Sequence, residues 1–447
     1  MSWAGRHAEG RRPVLPADGP LAHTRGRTPE QMTRRAWVLI GLAVVLPGSP
    51  QMVAGNRAVG RVAVGVVALL WALLLTAVLV QVVQADVLVG ILTSSTGLTV
   101  LQVGLLVLAA GWLALTLDTI RIARIVRLTP LARPLAAGLL VVLAVAGAGS
   151  AAWGAYLAGV ARGAIVSVFP EALPERGAAP PARYGILLLG MQRRTGGSAA
   201  LVPQSVSVLS VDSTTGRAVT IGIPVQLSRM PFPATSPMHR LYPDGYGARG
   251  CIAKPCTLQS LYSEAQAVGD ALYPGRRTDH SSPGTDAMRE AVEGSLGIAL
   301  QYTVQLDQDS FGRLVDSLGG VTVTVGHPPP PGFTPGAQHL GGARAVAYLH
   351  GSGSDFGRVA RTQQVEAALL TQANPADLLL QFRTVAAAGA GAVVTDLPQG
   401  VLTDLTVLAL AHRSQPLQQL DLVPPALPNP ASPDFGALHR LVAAALH

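Results

Sequence analysis

The chain has 447 residues, of which 49% are hydrophobic and only 13% are charged, and its formal net charge is +8. The length suggests two or three domains, and the composition excludes an intrinsically disordered chain and argues against an ordinary soluble enzyme. Lys254 is the only lysine. The positive charge is therefore an arginine bias of the whole chain, which weakens a nucleic-acid-binding interpretation.

The first 35 residues hold seven arginines among glycine, proline and threonine, and they predict a disordered basic tail. Positive charge beside apolar segments is typical of the cytoplasmic side of a membrane, so we expect the tail there. A DNA-binding arm is the alternative interpretation. We expect no secretory signal peptide, because the stretch lacks an apolar core and a cleavage site.

Three uncharged apolar runs, 62–80, 98–117 and 135–161, are long enough to cross a bilayer, which takes about 20 residues of helix. They lack the amphipathic stripe of a buried soluble helix and so predict transmembrane helices. The region 36–54 is interrupted by proline and glycine and predicts a re-entrant or interfacial hairpin. The arginines of the loops then place everything after residue 162 outside the cell, in a multi-pass plasma-membrane protein. If 36–54 spanned fully, that large domain would be cytoplasmic instead.

After the membrane region, residues 162–183 predict a stalk rich in proline, glycine and alanine. Strand-like and helix-like patterns then alternate, which predicts a layered α/β (α+β) domain over 184–372 with a central mixed sheet. The predicted strands are 186–189, 205–211, 219–224, 302–306 and 321–325, and the predicted helices are 285–295, 309–318, 340–350 and 356–372. Residues 373–447 predict a C-terminal helical extension with a proline-rich tail.

Cys251 and Cys256 are the only cysteines and lie five residues apart in a loop that contains glycine and proline. Such a close pair predicts a disulfide in an oxidising compartment, in agreement with an exported domain. A metal site is the alternative, although no nearby histidine completes a zinc shell.

The residues alone suggest little further chemistry, since we find no phosphate-binding glycine loop, nucleophile elbow or His/Glu metal spacing. Arg358 and Arg361 are the exception. They lie three residues apart on one predicted helix, after Asp355, and could fork around a phosphate group. A surface ion pair with Asp355 is the alternative.

Several ordered segments lie within about 184–372, among them "YGILLLGMQRR", "VSVLSVDSTTGRAVTIGIP", "HLGGARAVAYLHG" and "SDFGRVARTQQVEAALL". Together they resemble the LytR-CpsA-Psr (LCP) family, in its actinobacterial form with several N-terminal membrane segments. The resemblance implies the LCP fold and transfer of a glycopolymer from a polyprenyl-pyrophosphate carrier to peptidoglycan, with magnesium bound by aspartates. It also implies arginines at the pyrophosphate and an apolar cavity for the prenyl tail. The cysteine loop after "YPDGY" is typical of this group and supports the disulfide.

This chain departs from the family at most polar positions of the site. The family's two metal-binding aspartates, its arginine followed by aspartate or asparagine, and its Arg-x-Arg segment fall on Gln192, Gln204, Val225, Gln226, His350 and Ser352. The phosphate-binding candidates Arg358 and Arg361 remain, with Asp355 and Arg194 as supporting residues. Since neutral amides are weak ligands for a hard cation, we expect no bound magnesium.

The resemblance and its departures favour a catalytically degenerate LCP protein. It would bind a polyprenyl-phosphate-linked glycopolymer or partner an active paralogue, with peptidoglycan as a further partner. One alternative is an active glycopolymer transferase that has rebuilt its site with Arg193, Arg194 or Arg229. Another is an exported protein-interaction scaffold. Nucleic acid is not an expected partner, because a domain outside the membrane cannot contact DNA.

Overall fold

The computed structural model describes residues 28–54, 57–83, 94–170, 181–193, 201–275, 280–372, 393–411, 415 and 417–447. The chain divides into two compact units, Met1–Leu88 with Thr99–Ala158 and Val89–Leu98 with Gly159–His447. Residues 1–27 of the predicted tail and 171–180 of the predicted stalk lie outside the described residues.

The N-terminal part of the chain is helical where it is described. Its helices are α1 (Pro29–Val45), α2 (Ser49–Ala54), α3 (Arg57–Val83), α4 (Ser95–Ala123), α5 (Ala132–Ala144) and α6 (Ser150–Val168). The three predicted spans fall within α3, within α4, and across α5 and α6. Two continuous helices, Ser95–Arg127 and Ala132–Val168, are long and apolar enough to cross a membrane, and their most apolar stretches are largely exposed. A soluble core helix of this composition would be buried, so the exposure agrees with membrane anchoring.

The prediction of disorder through residue 35 is wrong for residues 29–35, which form the first turns of α1. Thr28 caps the helix by accepting a hydrogen bond from the backbone N–H of Gln31, whose side chain accepts from the Thr28 N–H in return. This reciprocal cap, with Pro29 at the first helical position, starts a helix among the basic residues. The region 36–54 then turns at Gly48, where φ is +94°, before α2. Its re-entry into a membrane stays a prediction.

The C-terminal unit is built on a mixed six-stranded sheet, so the predicted central mixed sheet is confirmed. The strands are β1 (Arg183–Arg193), β2 (Leu201–Asp212), β3 (Ala218–Ile223), β4 (Tyr302–Asp307), β5 (Val321–Val325), β6 (Gly336–Leu340), β7 (Val393–Thr395) and β8 (Gln418–Asp421). The order in the main sheet is β7-β4-β1-β2-β3-β8, and β5 and β6 form a separate pair. The β1–β4 and β3–β8 pairs are parallel, and the others are antiparallel.

Helices cover both faces of the sheet. They are α7 (Pro237–Leu241), α8 (Leu258–Leu272), α9 (Pro283–Leu296), α10 (Gln308–Ser317), α11 (Gly342–His350), α12 (Asp355–Gln372), α13 (Gln399–Ala411) and α14 (Phe435–Leu446). Leu187 and Leu189 of β1 point into the main core with α8, α9 and α14. Ile186 and Leu188, which alternate with them, belong to the opposite face with α13. All four helices predicted for 285–372 are confirmed with boundary errors of one or two residues.

The predicted domain end at residue 372 is wrong, whereas the C-terminal extension does pack on the core of the domain. The strands β7 and β8, both beyond that boundary, are the two edge strands of the main sheet. Helix α14 also belongs to the main core, where Leu438 and Val442 are buried. The extension is thus an integral part of the domain.

Candidate functional site

Helix α12 lies against β2, β3 and β8 and places the predicted arginines at the sheet. Its approach is close because β3 has a glycine at the contact: a Cβ atom on Gly222 would be 2.6 Å from Val359 Cγ1. Next to this contact the Thr220 hydroxyl donates a 2.6 Å hydrogen bond to Gln363 Oε1. Both Thr220 and Gln363 are buried, so the bond holds the helix at a fixed position over the strand.

Asp355, at the start of α12, is buried and joins the helix to the loop after β3. Its Oδ2 accepts a hydrogen bond from the Gln226 backbone N–H at 3.2 Å, and its Oδ1 accepts from Arg358 Nε at 3.3 Å. The ion pair considered from the sequence therefore exists. It does not remove Arg358 from the site, because the arginine also lines the cavities on either side of it.

Arg361 has a different environment from Arg358, although both lie on α12. Its Nη2 donates a 2.7 Å hydrogen bond to the Gly351 carbonyl and thereby holds the loop between α11 and α12. Its buried Nε has no hydrogen-bond partner among the described residues. Burial lowers the pKa of His350, and the charges of Arg358 and Arg361 lower it further, so this histidine is neutral at neutral pH.

A cavity in the C-terminal unit, called the main cavity below, lies between the sheet, α10, the end of α11 and α12, and its roughly 640 Å³ of space includes open solvent. One part of its wall is apolar: Leu188, Leu189, Met191, Leu306, Phe311, Leu349 and Val365. The polar part consists of Gln204, Ser205, Gln308, His350, Arg358, Thr362 and Glu366. A smaller adjoining cavity of about 220 Å³ shares Gln204 and Arg358 and adds Val225 and Asp355. An arginine thus stands beside a largely apolar cleft, an arrangement suited to a phosphate with a hydrocarbon tail.

The structure brings five of the sequence-predicted positions to these cavities: Gln204, Val225, His350, Asp355 and Arg358. Gln204 reaches them through a β-bulge, since Gly190 pairs with Ser205 and Met191 with Pro203, so that Gln204 is the extra residue.

The other predicted positions lie away from the cavities. Gln192 pairs with Val202 near the end of β1 and lines neither cavity, and Ser352 is exposed. The Gln226 side chain is also exposed, although its backbone binds Asp355. Of the arginines considered for a rebuilt site, Arg193 and Arg229 are exposed and Arg194 lies outside the described residues.

Glu366 is a site residue that the sequence interpretation missed. Its Oε1 accepts a 2.7 Å hydrogen bond from the Ser207 hydroxyl, and its Oε2 is buried with no partner among the described residues. Burial raises the pKa of Glu366 to about 7; the Ser207 hydrogen bond acts in the opposite direction, and the charge of Asp421 adds to the rise. Its spacing in the sequence could have identified it, because Glu366 follows Arg358 by eight residues and so lies on the same side of the helix.

The two cysteines form a disulfide in the loop between α7 and α8. Gly247 packs against this bridge, since a Cβ atom there would be 2.5 Å from Cys256 Cβ. Among the described residues no group of three or more His, Cys, Asp or Glu side chains is arranged to hold a metal ion.

Comparison with known proteins gives one family match and several structural ones. The model of the LytR_cpsA_psr family matches residues 264–423, a range that includes β8. No curated protein matches the chain. Among solved structures, B. subtilis TagV is 20% identical, with 60% of this chain and 96% of that chain covered and a TM-score of 0.42. A LytR-Csp2A-Psr enzyme from Actinomyces oris is 19% identical, with 59% of this chain and 89% of that chain covered and a TM-score of 0.40. A structure of TagT bound to LIIa-WTA is 16% identical, with 62% and 96% covered and a TM-score of 0.41.

Proposed function

From the premise that the chain carries a LytR-CpsA-Psr domain, the family of glycopolymer transferases, we propose that it is a catalytically degenerate member. In this proposal the protein binds a polyprenyl-phosphate-linked glycopolymer. It then either presents this glycopolymer to an active paralogue or to peptidoglycan, or withholds it from them. The observation that carries the proposal is the position of Arg358 beside the apolar wall of the main cavity. A phosphate oxygen at the guanidinium would leave the prenyl tail next to Leu188, Phe311 and Leu349.

The residues present at the cavity do not fit a magnesium ion. Mg²⁺ prefers carboxylate and water oxygens in octahedral geometry. Asp355 is the carboxylate beside Arg358, and both of its oxygens already accept hydrogen bonds. Gln204 and Val225, where the family resemblance expects an aspartate and an arginine, supply an amide and a methyl-terminated side chain. We therefore derive no catalytic step through a metal.

We also propose that the domain is extracytoplasmic and anchored by several membrane helices. Two apolar, exposed helices precede it in the chain, and the Cys251–Cys256 disulfide is stable in an oxidising compartment. The arginines at the predicted cytoplasmic ends of the helices support the same orientation. This location gives the cavity access to a lipid whose head group protrudes from the outer leaflet.

Binding of farnesyl phosphate to the full chain in lipid nanodiscs tests the proposal. Arg358→Ala should weaken binding by about 1.5–3 kcal/mol, roughly 10- to 150-fold, because it removes a charge-assisted hydrogen bond. Arg440→Ala is the matched control, since Arg440 is exposed on α14 and the charge change is the same. Inorganic phosphate should bind far more weakly than farnesyl phosphate, and magnesium should change the affinity less than about twofold, because Gln204 is a neutral amide and both Asp355 oxygens already accept hydrogen bonds.

Three results would contradict this proposal in different ways. Unchanged affinity in Arg358→Ala would show that Arg358 does not bind the phosphate. Magnesium-dependent pyrophosphate release by the unmodified protein would favour the active transferase. Absence of binding to any prenyl phosphate would favour the interaction scaffold.

A further inference from the structure

A row of residues crosses the sheet directly beneath α12. Strand pairing aligns Leu188 of β1 with Ser207 of β2, Ser207 with Gly222 of β3, and Gly222 with Asp421 of β8. Glu366 contacts this row from the helix, where its Oε1 accepts the Ser207 hydrogen bond. Gly222 leaves room for the helix to come close, so the carboxylate is held against the sheet.

The second oxygen of this carboxylate is in an environment that suits an uncharged group. Glu366 Oε2 is buried and has no hydrogen-bond partner among the described residues. Glu366 lines the main cavity together with Leu188, Leu306 and Val365. Oε2 itself is out of contact with solvent, so solvent in the open cavity stabilises the ionised form only across the cavity wall. A hydrocarbon chain in the cavity would exclude that solvent and penalise the ionised form further.

The charged groups that face Glu366 do not offset this penalty by a direct contact. On β8, Asp421 has the same charge, and its buried Oδ1 is also without a partner among the described residues. On α11, His350 is neutral and Tyr348 donates its hydroxyl hydrogen bond to Gln364. Strands β3 and β5 carry no ionisable side chain, and on β2 Asp212 is paired with Arg183. On its own helix, Arg358 is paired with Asp355, and Arg361 donates to the Gly351 carbonyl.

We propose that occupation of the cavity by an apolar chain is coupled to protonation of Glu366, so that the protein takes up a proton when the prenyl tail enters. Glu366 is then a specificity-determining residue: binding of an apolar chain is strongest where its carboxyl is protonated and weaker where the carboxyl is ionised. The inference rests on the proposed function, because it requires a prenyl chain in the cavity.

The linkage has a definite sign. The pKa of Glu366 is about 7 in the empty cavity, and occupation by hydrocarbon raises it further. Below that pKa the carboxyl is already protonated, and affinity does not depend on pH. Above it each binding event must take up a proton, and affinity falls by up to about tenfold per pH unit until the pKa of the occupied state is reached. We therefore expect binding to be about tenfold weaker at pH 8 than at pH 6.

The experiment measures binding of farnesyl methyl phosphate to the full chain in nanodiscs between pH 6 and pH 9. This diester keeps one charge across that range, so its head group contributes no titration. Glu366→Gln should bind with the wild-type affinity found at pH 6 and show less than about twofold change with pH. Ser207→Ala should move the midpoint of the pH dependence to higher pH, because the Ser207 hydrogen bond stabilises the ionised carboxylate and the variant removes it. Asp421→Asn should move it to lower pH, because a like charge is removed.

Infrared difference spectra with and without the ligand at pH 8 give a second measurement. Wild type should gain the carbonyl band of a protonated carboxyl, and Glu366→Gln should not. Persistent pH dependence in Glu366→Gln, or pH-independent binding by wild type, would overturn the coupling while leaving the proposed function in place. Absence of binding at every pH would overturn the proposed function and the coupling with it.

Discussion

Glu264 organises the loop that contains the disulfide, and its replacement should destabilise the C-terminal unit. The side chain is buried on α8, and its carboxylate accepts four hydrogen bonds. Oε1 accepts from the Tyr242 hydroxyl, and Oε2 accepts from the Tyr246 hydroxyl at 2.9 Å and from the backbone N–H groups of Ile252 and Ala253 at 3.0 and 2.9 Å. All four partners are donors, so the position requires an acceptor on both oxygens.

The size of the effect follows from this hydrogen-bond count. Burial, and then the hydrogen bond and charge of Glu264, raise the pKa of Tyr242 to about 12 and that of Tyr246 as well, so both phenols remain donors at neutral pH. Glu264→Gln turns one oxygen into an NH₂ group and removes the charge from the remaining hydrogen bonds. With about 1–3 kcal/mol for one lost acceptor, the unfolding free energy should fall by about 1–3 kcal/mol. At ~2–4 °C per kcal/mol, the midpoint temperature should fall by about 2–12 °C.

Thermal unfolding of the oxidised full chain, followed by circular dichroism in one detergent, measures this change. Tyr242→Phe removes one donor and leaves the Glu264 carboxylate with three hydrogen bonds, so the unfolding free energy should fall by only about 1 kcal/mol. Asp244→Asn is the control, because Asp244 pairs with Arg249 at an exposed site and such pairs contribute little. Equal midpoints for Glu264→Gln and wild type would refute the assignment of Glu264 as the anchor of the loop.

Two further predictions concern the packing of α12 on the sheet and the orientation of the domain. Gly222→Ala should lower the unfolding free energy by about 1–3 kcal/mol and weaken farnesyl phosphate binding, because the new Cβ would lie 2.6 Å from Val359 Cγ1. Gly326→Ala is the control and should change neither quantity, because a Cβ at Gly326 has no neighbour within 4 Å. A normal affinity in Gly222→Ala would show that the helix tolerates displacement. In intact cells an impermeant thiol reagent should label Pro274→Cys and not Arg121→Cys, and the reverse pattern would place the domain in the cytoplasm.

The regular elements of the C-terminal unit were predictable because each spans several periods of its pattern. The strands β1 to β5 and the helices α9 to α12 have strong apolar periodicity, and the sequence locates them, although the predicted strand 186–189 covers only the middle of β1. The edge strands β7 and β8 have three and four residues, too few for an alternating pattern, so the sequence interpretation assigned their region to a helical extension. Helix α8 was also missed, although Thr257 marks its start.

The candidate site was predictable only in part. Helical spacing puts Arg358 and Arg361 on neighbouring positions, but their different contacts depend on a loop carbonyl at Gly351 that no spacing reveals. The bulge that directs Gln204 to the cavity depends on the pairing of two strands. Glu366 was missed because an acidic residue in a helix is ordinarily solvent-exposed, and only the tertiary fold buries it against Ser207.

The two edge strands have a consequence for how the chain acquires its structure during synthesis. Strand β8 completes the β3 edge and β7 completes the β4 edge, and both lie beyond residue 392. Until those residues emerge, a nascent domain exposes two unpaired strand edges and the core positions that α14 later covers. The sheet therefore cannot be completed until β8 has been synthesised, and a chain truncated before β8 would be prone to aggregation. Premature stop codons even near residue 415 should consequently behave as null alleles.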